Sequence, residues 1–227
     1  MIRTVFLDLD DTLLDFTRTE AEAIGRVFRR MGLPSGGEVI ARYHAINARQ
    51  WALLEEGQVT REQLMTRRFD LLFAELGVSA SSRQVCDAYE GELGKLCLLL
   101  PGARELLQTL APRYELYVAS NGESAVQRGR LRQGGLERYF RGVFISEEVG
   151  ADKPAPAFFR ACFAAIPSFD PAAAIMVGDS LTSDIRGGRN AGIRTCWFNR
   201  LGRPAGEVRP DWEITALDQL MPLLERL

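Results

Sequence analysis

The sequence predicts an α/β fold, a parallel sheet covered on both faces, interrupted after its first strand by an all-helical insertion. Two observations predict it. From Pro101 onward, short apolar runs alternate with amphipathic stretches, the rhythm of successive βα units. Between the opening apolar run and Pro101, about eighty residues carry helical periodicity and no strand pattern. The economical division is a core of residues 1–16 and 97–227 with a helical domain of 17–96 inserted between them. Loop tips tolerate such insertions when the two ends stay close in space.

The elements follow in order. Val5, Phe6 and Leu7 form an apolar run that reads as a buried strand. In the insertion, Ile24, Val27, Phe28 and Met31 fall on one helical stripe, ended by Gly32 and Pro34. Met65, Phe69, Leu72, Phe73 and Leu76 repeat the stripe and stop at Gly77. Thr60, followed by Glu62 and Gln63, offers an N-cap with a capping box. A helix over 102–111 then leads to the strand ELYVASNG, a helix over 124–131 and the strand GVFIS. A helix over 154–166, the strand AIMVGDS, a helix near 184–191, the strand TCWFN and a final helix over 217–227 complete the series.

Composition removes several function classes. The 227 residues carry a net charge of −2 with acidic and basic groups well mixed, so there is no footprint for nucleic acid or anionic membrane. Cys86, Cys97, Cys162 and Cys196 lack CxxC spacing and read as buried free thiols of a reducing compartment. His44 is the only histidine, which argues against a Ser–His triad or a histidine zinc site; it reads as a polar residue on a helix. The first strand begins by Thr4, leaving no room for a signal peptide. The longest strictly apolar run, 96–100, is too short to span a bilayer. A cytoplasmic protein is expected, as monomer or homodimer.

In an open parallel sheet, ligands bind beyond the carboxyl ends of the strands. Asp8 and Asp10 lie at the first such end, Ser120, Asn121 and Gly122 at the second. Lys153, one of only two lysines, follows the third, and Asp179 and Asp184 follow the fourth. Each piece has a plain alternative: a turn, a solvated helix start, an N-cap. Their joint arrangement on one rim does not. Clustered carboxylates without histidine or thiolate favour Mg²⁺. An ionised aspartate can attack phosphorus, and a second carboxyl can serve as acid and then base. A lysine and a hydroxyl can hold the transferring oxygens. Arg128, Arg130 and Arg132 read as a solvated helix face.

DLDDT, the SNG turn, the lysine of GADKPAP and GDSLTSD resemble, in order and spacing, the four motifs of the haloacid dehalogenase (HAD) superfamily. The resemblance covers the whole core and implies a Rossmann-like sheet, with the insertion standing where that superfamily places its type-1 cap. It implies Asp8 as nucleophile and Asp10 as general acid/base, with Ser120, the Asn121 backbone and Lys153 binding phosphate. Mg²⁺ would be held by Asp8, the Asp10 carbonyl and Asp179, with Asp184 in or just behind its coordination sphere. Asp11 and Asp15 receive no catalytic role. Because haloacid dehalogenases proper lack the second aspartate, Asp10 favours a phosphatase.

Selectivity should come from the cap, where Asn47 and Trp51 lie four apart and offer an amide and an aromatic face. Helix packing is the plain alternative for Tyr43 and Trp51. NARQWALLEEGQVT, ISEEVGADKP and MVGDSLTSDIRGGRNAGIRTCWFN resemble the bacterial pyrimidine 5′-nucleotidase branch. That implies nucleoside monophosphates, non-canonical pyrimidine ones included, as substrates. Phosphoglycolate or sugar phosphates are the alternative, and a non-catalytic phosphate-binding module is a more distant one.

Overall fold

A computed structural model describes residues 1–227. The chain begins with β1 (Thr4–Leu7) and then enters four helices, α1 (Phe16–Arg30), α2 (Gly37–Glu55), α3 (Arg61–Leu76) and α4 (Ser82–Leu93). It returns through α5 (Ala103–Leu110) to β2 (Glu115–Ser120), α6 (Ser124–Gly134) and β3 (Gly142–Ile145). The one-turn α7 (Ser146–Val149) and α8 (Pro156–Ala165) precede β4 (Ala174–Gly178). Then come α9 (Arg186–Asn190), β5 (Arg194–Phe198), β6 (Trp212–Ile214) and α10 (Leu220–Glu225).

The six strands form one parallel sheet in the order β3-β2-β1-β4-β5-β6. This is the doubly wound Rossmann-like order, and its crevice opens where the strand order reverses, beside β1. Leu7 pairs with Val118 of β2 and Val177 of β4, so Asp8, Ser120 and Asp179 leave the sheet at one edge. Alternation along the strands divides the core. Val5, Leu7, Val118, Val177 and Phe198 face one layer, packed with α5 and α10 residues such as Leu107 and Leu224. Phe6, Ala119 and Met176 face the other, against Phe158, Phe159 and Cys162 of α8. A separate cluster, including Phe28, Tyr43, Phe69 and Tyr89, knits α1–α4 into a helical lobe.

Local signals explain the helix ends. Asp15 caps α1 by accepting from Arg18 N at 3.1 Å, the ordinary role of a carboxylate at that position. Thr60 and Gln63 form the capping box of α3, and Gly77 ends that helix in the left-handed region at φ +64°. Three departures from the sequence expectations stand out. The helix near Asp184 starts as a wide π turn, Leu181–Ile185, before α9. The last helix opens as a 3₁₀ turn, Leu217–Gln219. β6 was not expected, because its three residues, WEI, carry no alternation long enough to register. The four cysteines are free, with Cys86, Cys162 and Cys196 buried. No helix is long and apolar enough to cross a membrane.

Candidate active site

The loop after β1 turns tightly, with the backbone N–H of Thr12, Leu13 and Leu14 all donating to Leu9 O. This turn places Asp11 at φ +56°, a conformation that aspartate tolerates better than most residues. Asp11 then pairs with Arg200 at 2.7 Å and stays out of the centre. The β4 loop is fixed against this turn. Asp179 N donates to Thr12 Oγ1 at 3.1 Å, and Trp197 Nε1 donates to Asp179 O at 2.8 Å. Gly178 is required for a different reason. A Cβ there would stand 2.1 Å from Asp184 Oδ2, so only glycine lets the Asp184 side chain fold back toward the sheet.

Asp8, Asp179 and Asp184 thereby bring carboxylate oxygens within 4.8 Å of one another. Lys153 reaches in from the segment after α7, 1% exposed. Its Nζ donates to Asp8 Oδ1 at 2.8 Å, Asp184 Oδ1 at 2.6 Å and Ala119 O at 2.5 Å. Asn121 holds that segment in place: its Nδ2 donates to Lys153 O and its Oδ1 accepts from Lys153 N, both at 2.8 Å. Neither Asp179 nor Asp184 caps the helical turn that follows β4; Ser180 does so by accepting from Ser183 N.

Burial sets the electrostatics. It pushes the Asp8 carboxyl well above the usual carboxylate range, partly opposed by Lys153 and reinforced by Asp184. Burial, with Asp184 and Asp11 adding to it, raises Asp179 to about 7, while Arg203 opposes the rise. Desolvation alone would lower the Lys153 ammonium, but the Asp184 and Asp8 carboxylates outweigh it and the group is held charged above its ordinary range. Once ionised, three carboxylates outnumber the one buried ammonium and leave negative charge in excess, and all the donors are oxygen. That set fits a hard divalent cation such as Mg²⁺.

Asp10 stands beside this cluster with both oxygens engaged. Gln127 Nε2 donates to Oδ2 at 2.7 Å and Arg130 to Oδ1 at 2.5 Å. Gln127 Nε2 also donates to Ser120 Oγ at 2.9 Å. The expectation of a solvated face for Arg128, Arg130 and Arg132 is therefore corrected at one residue. Arg130 is fully buried, while Arg128 pairs with Glu148 and Arg132 is exposed. A signal existed: Val126, Gln127, Arg130 and Leu131 form a single buried stripe, so two long polar side chains stand where apolar ones are usual.

Asp8, Asp10, Ser120, Asn121, Lys153, Asp179 and Asp184 all line one cavity, roofed by the helical lobe through Phe16, Trp51 and Met65. Trp51 thus faces the cavity. Asn47 departs from the expectation that its amide meets a ligand, because the lobe interior already uses both ends of that amide. Nδ2 donates to Glu20 at 2.6 Å, and Oδ1 accepts from Arg68 at 3.1 Å. Tyr43 is a packing residue, stacked on Phe69 at 5.1 Å. His44 lies on α2 and bonds Glu20 through Nδ1 at 2.5 Å. Arg68 and Glu90 also reach the cavity; the sequence reading singled out neither, since each sits on an ordinary helix without a motif.

Comparison with known proteins agrees with this geometry. The model of the haloacid dehalogenase-like hydrolases matches residues 2–192. The HAD-hydrolase YfnB of Bacillus subtilis is 37% identical over 98% of this chain and 95% of its own. A crystal structure of YfnB bound to magnesium superposes with a TM-score of 0.95, covering 98% of each chain. The pyrimidine 5′-nucleotidase PynA of Streptococcus pneumoniae is 35% identical over 98% of this chain and 94% of its own. For the pyrimidine 5′-nucleotidase YjjG of Escherichia coli the identity is 34%, over 97% and 96%. With the matching strand-end motifs now assembled around one cavity, the chain belongs to the haloacid dehalogenase-like hydrolases.

Proposed function

We propose that the protein is a Mg²⁺-dependent phosphomonoester hydrolase that works through an aspartyl phosphate on Asp8. Its substrates on this reading are pyrimidine nucleoside 5′-monophosphates, non-canonical ones included. The observation that carries the chemistry is the Asp8–Asp179–Asp184 cluster, with buried Asp8 and Asp184 bridged by Lys153 and a second aspartate, Asp10, two residues beyond the first. Asp8 attacks phosphorus as the bond to the leaving oxygen breaks, and Asp10 gives that oxygen a proton. Water then attacks phosphorus, Asp10 takes its proton, and inorganic phosphate leaves with Asp8 restored. Lys153, Ser120 and the Asn121 backbone N–H bear the phosphoryl oxygens. Asp8, Asp179, Asp184 and the Asp10 carbonyl would hold Mg²⁺, which supplies positive charge against the phosphate and keeps Asp8 ionised.

Two relatives of nearly full length, PynA and YjjG, are pyrimidine 5′-nucleotidases, which supports the substrate class. So does the aromatic wall of Phe16 and Trp51 on the cavity, a surface on which a base can stack. The test is phosphate release with Mg²⁺ from uridine, thymidine, cytidine and adenosine monophosphates, phosphoglycolate and glucose 6-phosphate. Uridine or thymidine monophosphate should lead, with release abolished by chelation and by Asp8→Asn. A ranking led by phosphoglycolate or a sugar phosphate contradicts the substrate class. Release that persists in Asp8→Asn contradicts the mechanism.

A further inference from the structure

Helix α6 contributes two buried polar side chains that belong to none of the strand-end motifs. Gln127 is 1% and Arg130 0% exposed. One helical turn separates them, and together they hold both oxygens of Asp10, Gln127 on Oδ2 and Arg130 on Oδ1. Arg130 also donates to Gln127 Oε1 at 3.0 Å, so the two holders fix each other. Asp10 is the carboxylate paired with Arg130, whose guanidinium otherwise lies over the Phe16 ring at 5.8 Å. Its Nε and a second terminal nitrogen have no partner. Burial on those terms disfavours folding relative to an apolar side chain of similar size, so stability does not account for an arginine here. Gly122 keeps the path clear, because a Cβ at that position would meet Gln127 Nε2 at 2.4 Å.

We propose that Gln127 and Arg130 are positioning residues that set the proton carrier Asp10 and the phosphate-binding hydroxyl of Ser120 in one fixed geometry. The inference rests on the phosphatase reading above. Arg130 fixes the plane of the Asp10 carboxyl. Gln127 Nε2, by donating to Ser120 Oγ, occupies an oxygen lone pair and leaves the hydroxyl hydrogen free for a phosphoryl oxygen. One amide thereby couples the group that protonates the leaving oxygen to the group that holds the phosphate. Such coupling matters because small misplacements of a catalytic group cost large factors in rate.

The test separates proton delivery from everything else by varying the leaving group. A dinitrophenolate departs without a proton, whereas the alkoxide of an alkyl phosphate needs one. kcat/KM reports the steps up to that departure, so it is measured for 2,4-dinitrophenyl phosphate and for the best alkyl phosphate of the substrate panel. Arg130→Met should lose about 30-fold or more on the alkyl phosphate and less than about threefold on the dinitrophenyl ester. Arg130→Lys should recover most of the alkyl loss. Gln127→Leu should show the same selectivity on top of a loss common to both esters, because it also releases Ser120. Equal losses on the two esters overturn the positioning role. Thermal melts with Mg²⁺ check folding, and if Arg130→Met does not fold, Gln127→Leu carries the comparison: a larger loss on the alkyl phosphate supports the positioning role, and equal losses overturn it. A wild type that hydrolyses neither ester overturns the phosphatase reading and this inference with it. A wild type that hydrolyses both leaves the positioning role alone at stake.

Discussion

On the proposed reading, protons and Mg²⁺ compete for the same oxygens of Asp8 and Asp179, so the site should be a pH-dependent source of stability. Their folded values are raised, Asp179 to about 7, against an ordinary 3.8. A raised carboxyl binds more protons in the folded than in the unfolded chain between the two values, so stability of the metal-free protein falls as pH rises through that window. Mg²⁺ requires the deprotonated form, so its stabilising effect should grow over the same range. At a hundredfold excess over Kd the gain is about 2.7 kcal/mol, or about 5–10 °C in a chain of this size. Melting curves with and without Mg²⁺ should differ by that amount at pH 8 and converge near pH 5. A shift independent of pH contradicts this account. At this scale the sequence was informative where residue type and strand end coincide, as at Asp8, Ser120, Lys153 and Asp179. For Arg130 its one signal was a place on the stripe of Val126 and Leu131; for Asn47 it offered none, because the partners Glu20 and Arg68 come from other helices.

Helix α3 ties the helical lobe to the catalytic loops through its first residue. Arg61 donates to Glu123 at 2.6 Å and to Ser146 Oγ at 2.5 Å, and it also pairs with Asp152. Glu123 follows the Ser120–Gly122 turn and Asp152 precedes Lys153, so one guanidinium spans two loops of the site while lying 5.4 Å from the Trp51 ring. Glu55 of α2 adds a second tie by accepting from Thr182 at 2.6 Å. Contacts of this kind favour the arrangement in which the lobe covers the cavity. Arg61→Ala should therefore raise KM about tenfold, equivalent to about 1.4 kcal/mol, with a smaller change in kcat. Steady-state kinetics on the preferred substrate measures it, and an unchanged KM contradicts it. The helix itself was legible from its stripe, capping box and terminal glycine; the tie was not, because Arg61 is an ordinary first-turn arginine in sequence. The π turn before α9 was likewise hidden, since the stretch Leu181–Ile185 carries no periodicity that separates it from an ordinary helix start.

Across the whole molecule, a doubly wound sheet gathers four distant segments at the point where strand order reverses, and the helical lobe closes over them. The alternation of apolar runs with helices made the layered α/β class legible. β6 escaped because it is an edge strand of three residues, and strand order follows from long-range pairing that periodicity does not encode. The chemistry of the assembled rim stands or falls with covalent attack by Asp8, and the most direct measurement is chemical trapping. Wild-type protein turning over its preferred substrate with Mg²⁺ is quenched and reduced with borohydride, and the peptide containing Asp8 is sequenced by mass spectrometry. The account predicts homoserine at position 8, dependent on substrate and Mg²⁺. Turnover without that modification, or with it at another carboxylate, would contradict it.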